Sequence, residues 1–130
     1  MRFIEEIVVE EFLPTFRAML AGELRDRGRT QSEVAELLGI SQSAVSKYAH
    51  GDVETNDEIA SDERFLELVE RLADGLTSGE ITRVQALVET EVFIRRLERG
   101  DVLARLHQAD YPPLAEHDGL IDIHDAEGEF

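Results

Sequence analysis

The sequence predicts an all-α fold. Apolar residues recur at three- and four-residue intervals in successive stretches, as in Phe16, Leu20 and Leu24, which is the period of one helix face. Residues that favour helix starts stand before these stretches: Thr30, Ser41, Ser61 or Asp62, and Asp101. Glycines close them, at Gly28, Gly39, Gly51, Gly75 and Gly100.

From Met1 to Glu11, Phe3, Ile4, Ile7 and Val8 fall at helical spacing among acids, giving a short helix or an extended lead-in. Pro14 suits the first turn of the next helix, because a first-turn residue needs no N–H partner. That helix runs to about Arg27 and buries Phe16, Leu20 and Leu24. Arg25, Arg27 and Arg29 cluster at its end. They suit either the negative end of the helix dipole or phosphate oxygens.

Thr30 to Tyr48, TQSEVAELLGISQSAVSKY, is the most informative stretch. It reads as two short helices joined by a tight turn. Thr30 and Glu33 have the spacing of a capping box, in which each side chain bonds the other residue's backbone N–H. Val34, Leu37 and Leu38 form an apolar stripe, and Ala35 lets another helix cross close by. Gly39 suits the positive φ that ends a helix, and Ile40 is the apolar residue of the turn. Ser41 can cap the second helix, with Val45 and Tyr48 facing the core. Gln42, Ser43, Ser46 and Lys47 then face outward.

The spacing of Gln31, Ala35, Gly39, Val45 and Tyr48 resembles the helix-turn-helix of the phage-repressor-like Xre/Cro/cI regulators, and SQSAV is similar to the start of a lambda-type recognition helix. The resemblance implies a lambda-repressor-like domain whose helix 42–49 enters the major groove of double-stranded DNA. Gln42 would bond an adenine edge through its amide. Ser41, Ser43 and Ser46 would contact bases or phosphates. Arg29, Gln31 and Lys47 would hold phosphate oxygens.

Beyond Tyr48 the chain is acidic and poor in apolar residues up to Asp62, as in a connecting loop, with His50 and Gly51 at the helix end. A helix from Glu63 to about Gly75 carries Phe65, Leu66, Leu68, Val69, Leu72, Ala73 and Leu76. After a break at residues 77–79, a longer helix runs from about Glu80 to Arg99 with Ile81, Val84, Leu87, Val88, Val92, Phe93, Ile94 and Leu97. Two such wide faces either complete one core or bury a second subunit of a homodimer. Arg95, Arg96 and Arg99 suit helical ion pairs with Glu91 and Glu98. A short helix after Asp101 carries His107, read as a solvated or satisfied histidine. His117, Asp118, Asp122, His124 and Asp125 have no recognised ligand spacing, so no metal or cofactor is assigned.

The net charge is −16, a large acidic excess for a DNA binder. Its distribution matters more than its size. Residues 12–50 hold five basic and four acidic residues, net +1, whereas residues 51–130 hold seven and 21, net −14. The motif is spared the acid load, as a DNA-facing surface would be. Lys47 is the only lysine, and acidity with so little lysine looks like the halophilic style of protein. Molar salt shortens the Debye length to about 3 Å, which screens repulsion but also weakens phosphate contacts.

The chain has no cysteine, so neither a disulfide frame nor a thiolate site is expected. No apolar run of about 18 residues exists to span a membrane. The acidic N-terminus is not a signal peptide, which implies a cytoplasmic protein. No nucleophile–base pair or phosphate loop falls on an ordered element, so no enzyme activity is expected.

FIEEIVVEEFLPTFR near the start and VFIRRLERGDVLARLH from Val92 are similar to a group of archaeal, including haloarchaeal, Xre-type regulators. The longer members carry a thiamine-phosphate-synthase-like domain, which implies an effector site only in a domain absent here. Some relatives have cysteines around the region matching 92–104, where this chain has none. The reading is a helix-turn-helix domain at 1–60, a helical extension at 61–109 that completes the core or dimerises, and an acidic tail or linker at 110–130. Its function is that of a dimeric, sequence-specific transcriptional regulator. The other reading is an acidic, antitoxin-like interaction module with a structural helix-turn-helix.

Overall fold

A computed structural model of the protein describes residues 1–99. The helix expected after Asp101, His107 and the segment 110–130 with its metal-capable side chains lie outside the described residues.

The chain begins with one helical run in three parts: α1 (Ile4–Ile7), a π-helical turn (Val8–Phe12) and α2 (Leu13–Asp26). Pro14 stands in the first turn of α2, as the sequence suggests, but that turn continues an earlier helical run. A proline there lacks the N–H of the regular ladder, and its ring would strike the carbonyl four residues back, at Glu10. The wider π turn relieves this, with the Leu13 N–H bonding the Val8 carbonyl five residues back. The same widening turns Ile7, Val8, Phe12, Thr15 and Phe16 all toward the core.

Helices α3 (Gln31–Leu38) and α4 (Gln42–Ala49) follow at the expected bounds. The stretch read as a loop contains a further turn of helix, α5 (Asp57–Ala60). Asn56 caps it by accepting from the Ile59 N–H at 3.1 Å, and Ile59 is buried. One turn is too short to show a hydrophobic period, so only the cap and one apolar residue marked it.

Helix α6 (Glu63–Ser78) is capped by Asp62, which accepts from the N–H groups of Arg64 and Phe65. It passes through Gly75, where the sequence suggested an end, and stops at Gly79, whose φ is +85°. Gly75 has another task. A Cβ there would lie inside the Ile81 side chain, and the Ile81 N–H donates to the Gly75 carbonyl at 3.1 Å. The missing side chain lets the chain fold back onto α6. Helix α7 (Arg83–Arg99) then starts at a second capping box. Gln85 N–H donates to Thr82 Oγ1 at 3.1 Å, and Gln85 Oε1 accepts from Thr82 N–H at 2.8 Å.

Phe12 stacks on Phe16 and meets Phe65 of α6 and Phe93 of α7, Phe16 also meets Phe65, and Phe65 meets Phe93, with ring centroids 5.7 to 6.4 Å apart. Val34 and Val45 of the motif belong to the same buried cluster as Leu72, Leu76 and Leu97. The helices beyond Asp62 thus share one core with the motif. Helix α7 spends only one side on that core, through Ala86, Thr90, Ile94 and Leu97. Leu66 on α6 and Val84, Leu87, Val88 and Val92 on α7, on the wide faces expected either to complete the core or to bury a second subunit, are exposed. Among the described residues no helix is long and apolar enough to cross a membrane.

Candidate nucleic-acid interface

The geometry of the motif follows from its caps. Thr30 Oγ1 accepts from the Glu33 N–H at 3.1 Å, and the Glu33 carboxylate accepts from the Thr30 N–H at 3.0 Å. Hydrogen bonding from the Thr30 backbone, then from Arg29, holds the Glu33 carboxyl below its ordinary pKa. At the other end of α3, Gly39 takes φ +66°, and the Ile40 N–H closes the turn on the Ala35 carbonyl at 3.0 Å. Val34 and Ala35 are buried, and α3 and α4 pack against each other.

Ser41 caps α4 by accepting from the Ala44 N–H at 3.1 Å. Val45 is buried and Tyr48 packs against the core. This fixes which face of α4 is free. Gln42, Ser43 and Lys47 are exposed, and Ser46 is half-buried. The Ser41 and Ser43 hydroxyls lie 3.1 Å apart, and Ser46 Oγ lies 3.4 Å from His50 Nδ1. Ser41, Gln42 and Ser43 therefore stand together at the positive end of the α4 dipole, a natural place for acceptor atoms. Gln31 is the half-buried first residue of α3.

Arg29 stands apart from this set. Its guanidinium donates to the Glu33 carboxylate at 3.0 Å and to the carbonyl of Thr77 near the end of α6. Its Nε is buried. The donors expected to hold phosphate are turned into the joint between α3 and α6. Arg27 is similarly engaged, with Glu23 and Asp74 each at 2.7 Å. Arg25 donates to the Arg29 carbonyl at 2.9 Å. The three arginines thus make specific contacts at this joint, rather than only the helix-dipole contact that the sequence suggested beside phosphate binding.

Two features of the site were not foreseen. Thr15, buried on α2, accepts from the Asn56 N–H at 2.8 Å and donates to the Glu11 carbonyl at 2.8 Å. This ties the segment after α4 back to α2. The Arg83 guanidinium lies beside Gly39, 3.7 Å from where a Cβ would stand. Nothing near the motif signals this neighbour, because the fold-back at Gly75 and Ile81 brings it there. Among the described residues no cluster of histidines and carboxylates is arranged to hold a metal.

Residues 23–62, from the end of α2 through α5, match the family model described as helix-turn-helix. This segment is a helix-turn-helix domain. Such a domain is a DNA-binding, regulatory element and not a catalytic one. No curated protein and no solved structure matches the chain.

Proposed function

We propose that the protein is a sequence-specific, DNA-binding transcriptional regulator that reads the major groove with α4. The observation that carries this reading is the division of α4. Val45 and Tyr48 hold the helix to the core, while Gln42, Ser43 and Lys47 are left exposed. Gln42, one residue after the Ser41 cap, is the base reader, pairing its amide with an adenine edge. Ser43 and Ser46 add single hydrogen bonds to bases or phosphates. Lys47 and the free N–H groups at the start of α3, with Gln31, hold the phosphate backbone. Ser41 serves mainly as the cap that presents Gln42. Arg29 positions α3 against α6 and is left out of the contact set.

Two copies acting as a homodimer would read the two halves of a palindrome. The acidic, lysine-poor composition fits a salt-rich cytoplasm, where base contacts and shape carry more of the affinity than phosphate contacts do. The test is selection of bound fragments from a random DNA pool at low and at high potassium chloride. Enrichment of a two-fold-symmetric site that persists at high salt supports the reading. Enrichment of no sequence at either salt removes it.

A further inference from the structure

We infer that the cleft between α2, α3 and α7 binds a small monocarboxylate with a phenyl-sized apolar body, whose carboxylate pairs with Arg17. The cleft has a volume of about 170 Å³, and its walls include Leu13, Phe16 and Leu20 of α2, Leu37 and Leu38 of α3, and Ile94 of α7. That is close to the volume of a cavity of about 150 Å³, lined by leucine, isoleucine and phenylalanine, that takes up benzene. Leu13, Leu37 and Leu38 are only half-buried, so an apolar guest covers surface that the fold leaves partly in water.

The charges at the cleft select an anion. Leu13, Phe16, Arg17 and Leu20 follow the spacing of one helix face, so Arg17 stands inside an apolar stripe and not on the polar side of α2. Arg83 and Glu91 of α7 also line the cleft. Among the described residues none of these three side chains has an ion-pair or hydrogen-bond partner. Arg83 and Glu91 are exposed and of opposite sign, and water screens both. Arg17 is half-buried. A guanidinium partly withdrawn from water without an acceptor is costly, and a carboxylate supplies the acceptors that it lacks. Arg17 therefore decides the sign, while Arg83 offsets the repulsion from Glu91. A neutral apolar guest would leave Arg17 unanswered, and an amine would be repelled by it.

The site lies at the joint that carries the motif. Leu37 and Leu38 belong to α3, and Arg83 borders the turn at Gly39. The cleft is built from this chain's own helices, and the inference does not rest on the DNA reading.

The test is a calorimetric titration of the full chain, without DNA, with phenylacetate and with phenylacetamide, which has the same body and no charge. Phenylacetate should bind saturably, and phenylacetamide more weakly by about tenfold or more. Arg17→Gln should weaken phenylacetate by about tenfold or more and bring the two probes level. Glu91→Gln removes an opposing charge and should tighten phenylacetate. Ala86→Leu adds bulk to the α7 wall and should abolish binding. Helical circular dichroism shows that each variant is folded. Should Ala86→Leu unfold the chain, the Arg17 comparison still decides, because Arg17 has no bond to a described residue to lose. No saturable binding of phenylacetate, equal binding of phenylacetamide by the parent chain, parental affinity in Arg17→Gln, or weaker binding in Glu91→Gln would each overturn the inference.

Discussion

Thr15 and Asn56, 41 residues apart, meet through a 2.8 Å hydrogen bond from the Asn56 N–H to the Thr15 hydroxyl. The hydroxyl is buried and donates its own hydrogen bond to the Glu11 carbonyl at 2.8 Å. The Asn56 side chain adds a bond to the Glu11 carboxylate at 2.7 Å. One threonine thus joins the π turn, α2 and the segment that leaves the recognition helix. Thr15→Val keeps the shape and strands the Asn56 N–H, so it should cost about 1–3 kcal/mol. Urea denaturation of the variant checks this, and an unchanged midpoint would mean that the joint carries no stability.

Gly75→Ala should destabilise by about 1–3 kcal/mol through overpacking. Its Cβ would fall inside Ile81, which cannot move away without opening the turn between α6 and α7. Ile81→Ala on the same background should recover part of the loss. The pair of thermal melts separates a steric clash from a general intolerance of the site, because only a clash is relieved by shrinking the neighbour.

The caps set a response to acid. The Glu33 carboxyl is held below its ordinary pKa by hydrogen bonding from the Thr30 backbone and then from Arg29. At Asp62 burial pushes the other way, but hydrogen bonds from the Arg64 side chain and from the Phe65 and Arg64 N–H groups outweigh it, and the net shift is downward. A folded pKa below the unfolded one means stability that is complete above the unfolded value and lost as pH falls through the folded value. The melting temperature should therefore decline below about pH 4. Glu33→Gln, which keeps the cap geometry but not the charge, should decline less steeply over that range.

Arg29 and Lys47 should behave differently, although both are cations near the motif. Arg29→Ala should lower stability, because it breaks the bonds to Glu33 and Thr77. It should leave the salt slope of DNA binding unchanged. Lys47→Ala should leave stability nearly unchanged and reduce that slope by about 1. Titrations at several salt concentrations decide between the roles. A reduced slope for Arg29→Ala would return it to the phosphate set.

Much of the motif was legible in the sequence because its signals are local. A capping box needs only Thr30 and Glu33, a left-handed turn only Gly39, and a second cap only Ser41. The core faces of α2 and α6 were legible through their period. The sequence misled where a long-range contact overrode a local rule. Gly75 is an ordinary helix boundary by local chemistry, but Ile81 needs the space the glycine leaves. Arg29 looked available to phosphate because its second acceptor besides Glu33, the Thr77 carbonyl, lies 48 residues away. The outward valines of α7 could not be told from core residues, because period alone gives the width of an apolar face, not what covers it.

The most direct measurement is the binding preference of Gln42→Ala against the parent protein, on the selected DNA site and on the same site changed one base pair at a time. The account predicts that the variant loses about 1–3 kcal/mol of discrimination at one base pair, at an adenine. Preference elsewhere in the site and helical content should be retained. Identical preferences for the two proteins at every position would contradict the claim that α4 reads sequence through Gln42.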